Sequence, residues 1–315
     1  MNDIRYLIEN YYDIQKIRVE TFNRIVSFVK ENKDKVMEMI KNLSHYPLEP
    51  QNGYASHPVF ESQRNDASQY KDGNQPVFAS QVTSETQRIN ASQITNENQK
   101  SNAVSLLKDS KYSDFVKKFV ITKKIGIKEV ENLVWFHNKL FETEKELYKI
   151  LDGWSREHPL RVNFLNYVKG IGPVLASALI AWLSEPILKA EHVSNLWSYC
   201  GLKPNSERKR GEKLGYNPKL KSLCWKIGES FIKKKCFGRK LYDTFKEETQ
   251  KKHPDWTKLH IHNYARRKVV KLFLASLWEV WRKMNNISTT EPYPVQYLGH
   301  SKIVPDLWIE KRGDL

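Results

Sequence analysis

Residues 168–176 read Val-Lys-Gly-Ile-Gly-Pro-Val-Leu-Ala. Helix-like segments flank this stretch at 161–169 and 174–183, so it predicts a tight connection between two helices. An apolar position, two glycines separated by an apolar residue, and an alanine further on form the pattern of a helix–hairpin–helix turn. An ordinary glycine-containing helix connection is the alternative. The stretch therefore predicts a mainly α fold with a C-terminal helix–hairpin–helix domain.

Each residue type in this turn has a physical role. Gly170 and Gly172 reach backbone angles closed to other residues, so the turn is tight and its amides are uncovered. Pro173 suits the first position of the second helix, where a missing N–H costs nothing, and Ala176 is small enough for two helices to approach closely. Uncovered amides at a helix N-terminus attract a phosphate. The expected phosphate-binding residues are Lys169, Gly170, Ile171, Gly172 and Pro173.

The charge of the chain favours a polyanionic partner. Its 52 Lys and Arg residues outnumber 36 Asp and Glu residues, which gives a net charge of +16. The window 203–240 holds thirteen basic and three acidic residues, so it carries +10 of that surplus. A solvated basic face explains any single lysine, whereas the cluster predicts nucleic-acid binding. The expected binding residues in this window are Lys203, Arg208, Lys209, Arg210, Lys213, Lys219 and Lys221.

Length, cysteines and hydropathy bound the class of protein. A chain of 315 residues has room for one large or two ordinary domains. Cys200, Cys224 and Cys236 lack C-x-x-C spacing, so we expect buried thiols in a reducing compartment. The N-terminus has no apolar signal core, and no stretch approaches the length of a membrane span. These features predict a cytoplasmic protein with no membrane partner and no cofactor.

The chain divides into five predicted segments. Residues 52–99 form eight hexapeptides, seven of which end in Gln. Their second positions are too polar for a β-helix, so we interpret them as a disordered insert, with a small β-solenoid or oligomerising segment as the alternative. One short strand is expected, at 119–121. The segments are an N-terminal helical segment (1–44), the low-complexity insert (45–109), a long linking helix (110–159), the helix–hairpin–helix domain (160–286) and a C-terminal tail (287–315).

Further helices and aromatic residues are expected in the C-terminal half. Apolar periodicity predicts helices at 193–199, 219–234 and 259–284. Four aromatic residues near the basic window are candidates for stacking on bases, although core packing is favoured for the two tryptophans. His137 lies on an apolar stripe and is expected in the core. The stacking candidates are Trp197, Tyr199, Tyr216 and Trp225. No metal site is expected, because the spacing of Cys236, His253, His260 and His262 matches no standard zinc pattern.

The order of motifs resembles a known family. The hairpin is followed by Ser198-Tyr-Cys-Gly-Leu-Lys-Pro204, a basic loop, a Lys-rich helix, and a long helix containing Ala265-Arg-Arg-Lys-Val-Val-Lys-Leu272. This order over residues 160–286 is similar to the C-terminal domain of transposases of the IS110/IS116/IS902 group. The resemblance implies a domain that engages DNA during recombination.

The catalytic parts of that family are not found at the expected positions. Its members begin with a domain resembling Holliday-junction resolvases, whose acidic residues bind metal, whereas this chain begins with helices and repeats. The family places a serine nucleophile before a glycine; if Gly211 is that glycine, Arg210 occupies the nucleophile position. Ser206 is the nearest serine and lies four residues too early, so it is a weak catalytic candidate.

The sequence favours a nucleic-acid-binding protein of mobile-element origin that is catalytically incomplete, and it leaves open whether the chain is an enzyme. DNA is the expected partner, with RNA as an alternative, and homo-oligomerisation is open. One alternative function is an active transposase or recombinase that uses a displaced serine or catalytic residues from a partner chain. Another is a structural or assembly protein in which the repeats mediate self-association.

Overall fold

A computed structural model describes residues 2–42, 97–203, 211, 214–299 and 302–309. The protein is mainly α, as predicted, and the described residues contain no strand beyond an isolated antiparallel bridge between Val168 and Ile309. Hexapeptide residues 52–96 lie outside the described residues, and the last three repeat residues begin a helix. None of the helices in the described ranges is long and apolar enough to cross a bilayer.

The described residues contain twelve α-helices. They are α1 (Asn2–Glu31), α2 (Lys33–Asn42), α3 (97–108), α4 (Tyr112–Phe115), α5 (Glu131–Arg156), α6 (Pro159–Asn163), α7 (Pro173–Lys189), α8 (Val193–Tyr199), α9 (Pro218–Lys233), α10 (Phe237–Lys252), α11 (Lys258–Met284) and α12 (Tyr293–Leu298). Helices α8, α9 and α11 begin and end within one residue of the predicted bounds. Helix α7 begins one residue before the predicted 174–183 segment and ends six residues after it.

The chain divides into two compact units. The first contains Met1–Gln15 and Glu142–Leu315, and the second contains Lys16–Phe141. In the first, α11 packs against α7, α8, α9 and α10. Helix α7 is buried on almost every side, because most of its residues are apolar or small.

Indole and guanidinium groups of α11 hold the end of α7. Trp281 Nε1 donates to the carbonyl of Ser184 at 2.8 Å, and Trp278 Nε1 donates to that of Ala190 at 2.8 Å. The buried Arg282 guanidinium donates to the carbonyls of Leu188 and Ala190, each at 2.9 Å. The donors to Leu188 and Ala190 satisfy carbonyls that a helix C-terminus leaves without partners.

The second unit has its own apolar core. Its members include Ile25 and Val29 of α1 and Phe115 of α4, all fully buried. The expected strand at 119–121 is wrong: Val116–Val120 form a π-helical turn that continues α4. Its apolar side chains at positions 116, 119 and 120 recur at helical spacing and therefore face one core. His137 is buried, as predicted.

The segment predicted as one helix over 110–159 is interrupted. Helix α4 and its π-helical turn end at Val120, a 3-10 turn covers Lys128–Val130, and α5 then runs from Glu131 to Arg156. Lys123 has a φ of +58°, a conformation that ends a helix.

Candidate nucleic-acid interface

The predicted hairpin joins α6 and α7, but its first arm is shorter than expected. Helix α6 ends at Asn163, and a 3-10 turn, Leu165–Tyr167, leads to the glycine turn. The continuous helix predicted over 161–169 is therefore wrong, because Phe164 has φ −140° and breaks the helical conformation. Helix α7 starts at Pro173, as the sequence indicates for proline at a first helical position.

The two glycines of the hairpin have different roles. Gly170 has a φ of +103°, which other residues rarely adopt. Gly172 has φ −88° and ψ 177°, an extended conformation open to any residue. The prediction that the backbone conformation at position 172 requires glycine is therefore wrong. Gly172 is instead the N-cap of α7, with an exposed surface and no side-chain cap.

Helix α9 fixes the position of Gly170. Ser230 Oγ donates to the Gly170 carbonyl at 2.5 Å. A Cβ added at Gly170 would lie 2.9 Å from a ring carbon of Phe231, a fully buried side chain. The turn therefore requires glycine both for its backbone angle and for its close approach to α9. Ile171 is buried, Lys169 and Pro173 are half-buried, and Ala176 is buried.

A buried polar network connects α5 to the hairpin, and no pattern in the sequence indicates it. The Arg161 guanidinium donates to the Asp152 carboxylate, to the Asp152 carbonyl at 3.0 Å and to Ser155 Oγ at 2.6 Å. Ser177 Oγ, in the second turn of α7, lies 2.8 Å from Ser155 Oγ and 2.8 Å from the Leu151 carbonyl. These groups join the end of α5, the α6 arm and the start of α7.

The charge of Asp152 depends on this network. Burial raises the pKa of Asp152, but hydrogen bonds from Arg156 and Arg161 outweigh burial and hold the pKa below its ordinary value. Asp152 therefore stays ionised, which balances the buried charge of Arg161. No periodicity in the sequence indicates that Arg161 is buried. Its burial is explained by the ion pair with Asp152, nine residues earlier.

The predicted basic residues occupy different environments. Lys203, Lys219 and Lys221 are exposed. Lys219 pairs with Glu9 of α1 at 2.8 Å, whereas Lys221 lies over the Tyr216 ring, 4.6 Å from its centre. Arg208, Lys209, Arg210 and Lys213, together with the catalytic candidate Ser206, lie outside the described residues.

A cavity of about 380 Å³ lies between the end of α8, α9 and the N-terminal half of α11. We call it the α9–α11 cavity. It combines three of the predicted residues, Lys203, Lys221 and Trp225, and none of the hairpin residues. Its lining residues are Gly201, Leu202, Lys203, Lys221, Cys224, Trp225, His260, Asn263, Tyr264, Arg266, Arg267 and Val270.

Helical spacing explains why these side chains meet. Lys221 and Trp225 are four residues apart on α9, so they share one face. His260, Asn263, Tyr264 and Arg267 follow the spacing i, i+3, i+4 and i+7 on α11 and also share a face. The basic run at the start of α11 is visible in the sequence, but its proximity to Lys221 depends on tertiary packing.

The exposure of Trp225 is the main difference between the predicted and the observed site. Its predicted core location is wrong, because 53% of its surface is exposed. The buried face of α9 contains Leu220, Leu223 and Ile227, and position 225 is turned away from it. By contrast, Trp197 is buried as predicted, and its indole donates to the Lys271 carbonyl at 2.9 Å. The other stacking candidates differ as well: Tyr199 is exposed and Tyr216 is half-buried.

Arg266 is held next to Trp225 by polar partners. Its guanidinium lies 5.1 Å from the Trp225 ring centre and donates to Glu229 at 2.6 Å and to Asn263 at 2.7 Å. His262 Nε2 lies 3.5 Å from the same Glu229 carboxylate. Arg266 therefore keeps a defined orientation against the indole face.

The histidines and cysteines have structural contacts. His260 stacks on Trp256 with ring centres 4.1 Å apart, and His262 Nδ1 lies 2.8 Å from the Tyr242 hydroxyl. The three cysteines are free and buried, as expected. A hydrogen bond with Cys200, together with burial, raises the pKa of the Cys224 thiol. Within the described ranges, no three His, Cys, Asp or Glu side chains are grouped as metal ligands.

No family model, curated protein or solved structure matches this chain.

Proposed function

We propose that this protein binds nucleic acid, DNA in particular, through the basic surface around the α9–α11 cavity. The observation that carries the proposal is the convergence of lysine and arginine side chains with an exposed tryptophan at one concave site. Backbone phosphates attract such cations, and aromatic side chains offer surface to bases or sugars.

The electrostatics support a polyanionic ligand. Among the residues that the structure describes, no carboxylate forms an ion pair with Lys221 or Arg267, although Arg266 and Lys219 have acidic partners. Cations without such partners are available to replace the counterions of a phosphate backbone. The excess charge of the 203–240 window adds long-range attraction.

The hairpin supports a second contact with a phosphate. Gly172 is exposed at the N-terminus of α7, where the helix dipole favours an anion. Backbone amides position a phosphate without reading base identity. Gly170 and the cavity lie at opposite ends of α9, because Gly170 contacts Ser230 whereas Lys221 lies nine residues earlier, about 13 Å along the helix axis.

The resemblance to IS110-type transposases supports a mobile-element origin for the C-terminal domain. The proposed protein is a binding component without its own strand-cleaving centre. A nicking assay on branched and linear DNA with divalent metal tests this point, with a Ser206→Ala variant as the comparison. No cleavage by the wild-type protein is expected; metal-dependent cleavage that disappears in the variant would contradict a purely binding function.

Charge reversal tests the location of binding. The variant K221E/R267E changes two cavity cations, and K118E/K124E makes the same change at exposed lysines of the second unit. We expect the cavity variant to weaken duplex binding for all sequences alike and to reduce the salt slope by about 2, since each lost phosphate contact removes about 0.9. The control variant is expected to retain the wild-type slope. Equal effects of the two variants would refute a site at the cavity.

A further inference from the structure

We propose that the α9–α11 cavity takes an unstacked base of a single-stranded nucleic acid, which stacks on Trp225 while its flanking phosphates contact Lys221 and Arg267. This inference rests on the proposed function and specifies the ligand that the cavity prefers: a single strand or an unpaired segment, whose base adds a contact to the phosphate contacts that a duplex also makes. The base and the phosphate backbone are common to DNA and RNA.

The exposed indole is the first argument. Trp225 exposes 53% of its surface on a helix whose other large apolar side chains are mostly buried. It lines a concave site rather than a convex surface. A stacked base would cover this apolar surface, and stacking on tryptophan tolerates every base because each has a π face.

The orientation of the indole is the second argument. Arg266 lies against the Trp225 ring and is itself fixed by Glu229 and Asn263. A side chain that is already ordered loses little conformational freedom when a ligand binds. Arg266 is thus a positioning residue, whose charge is largely balanced by Glu229, whereas Lys221 and Arg267 have no carboxylate partner among the described residues and can bind phosphates.

The size and composition of the cavity are the third argument. Its volume of about 380 Å³ falls within the range of small-ligand sites, about 300–1,000 Å³. Lys221 on α9 and Arg267 on α11 both line the site, so two helices contribute a cation to it. Bases inside a duplex are stacked on each other and cannot reach an indole in such a cavity, whereas unpaired bases can.

A base-deletion cycle tests the inference. Binding of wild-type protein, W225A and W225F is measured by fluorescence anisotropy with four probes: a deoxythymidine oligomer, a uridine oligomer, an abasic oligomer of equal length and a duplex. W135A is the matched control, because Trp135 is also exposed and lies on α5 in the second unit. Thermal unfolding of each variant shows that the fold is retained.

We expect W225A to weaken binding of both single-stranded oligomers by about 5- to 100-fold, W225F to lose less than W225A, and W135A to match the wild type. The abasic oligomer and the duplex are expected to bind W225A and wild type alike. An equal loss with the abasic oligomer, or no loss with either base-containing strand, would overturn base stacking while leaving nucleic-acid binding intact. Failure of the wild type to bind any probe at low salt would overturn both proposals. A loss confined to the thymidine or the uridine oligomer would support the inference and assign the ligand to DNA or RNA.

Discussion

The substitution Gly170→Ala tests the account of the hairpin turn. Alanine would have to adopt a φ of +103°, which costs about 1–2 kcal/mol for a residue with a side chain. Its Cβ would also lie 2.9 Å from a ring carbon of Phe231, and this buried ring cannot move without disturbing its neighbours. Overpacking of that kind costs about 1–3 kcal/mol. We therefore expect the free energy of unfolding to fall by about 2–5 kcal/mol.

Gly172→Ala is the matched control in the same turn. Gly172 has an ordinary extended backbone, and a Cβ there would meet nothing within 4 Å. Alanine is a poorer N-cap than glycine, but it also restricts the unfolded chain, and because these two effects oppose each other we expect a net change of less than about 1 kcal/mol. Urea unfolding followed by circular dichroism measures both variants. Equal losses at the two positions, or a Gly170→Ala variant as stable as wild type, would refute the assignment of the turn.

Two further predictions concern charges near the hairpin and α9. Asp152→Asn leaves the buried Arg161 without a carboxylate and should cost about 3 kcal/mol at pH 7. Because the pKa of Asp152 is lowered on folding, this stabilisation is present above the unfolded pKa of about 3.9 and is lost as pH falls through the lower folded pKa. Urea unfolding at pH 7 and pH 3 measures the gap between variant and wild type, and a gap that does not narrow in acid would contradict the ion pair. Burial lowers the pKa of Lys226, which lies against Tyr12, to about 8, so the unfolded chain binds more protons and wild-type stability rises from pH 8 towards pH 10. Lys226→Met should raise the melting temperature at pH 7 and remove that rise, and a destabilised variant would show that the charged form is favoured by folding.

Local signals explain the parts of the fold that the sequence predicts. Helices α7 and α9 begin at Pro173 and Pro218, and the Asn217 side chain accepts hydrogen bonds from the first amides of α9. Helix α9 has a clear apolar stripe, and α7 is an almost continuous run of apolar and small residues, so both are predicted as helices. Helix α10 is missing from the predicted helices, although Phe237, Leu241 and Phe245 recur at four-residue spacing and pack against the core.

The candidate site was predicted only in part, for physical reasons. Lys221 and Trp225 are visible as a basic and an aromatic residue on one helix, but the exposure of Trp225 depends on which neighbours cover it. Arg266 reaches Glu229 across 37 residues of sequence, a contact that periodicity cannot indicate. The charge pattern thus predicts the kind of ligand, whereas tertiary packing decides where the cations and aromatic residues meet.

The most direct measurement is a salt titration of wild-type binding to a short duplex and to a single strand of the same length. Two cavity cations, Lys221 and Arg267, have no carboxylate partner among the residues that the structure describes and can contact phosphates. The logarithm of the association constant should therefore fall linearly with the logarithm of salt concentration, with a slope of about −1.8 or steeper on duplex and about −1.4 or steeper on the single strand. No binding at low salt, or binding that is insensitive to salt, would contradict the proposal that this protein binds nucleic acid.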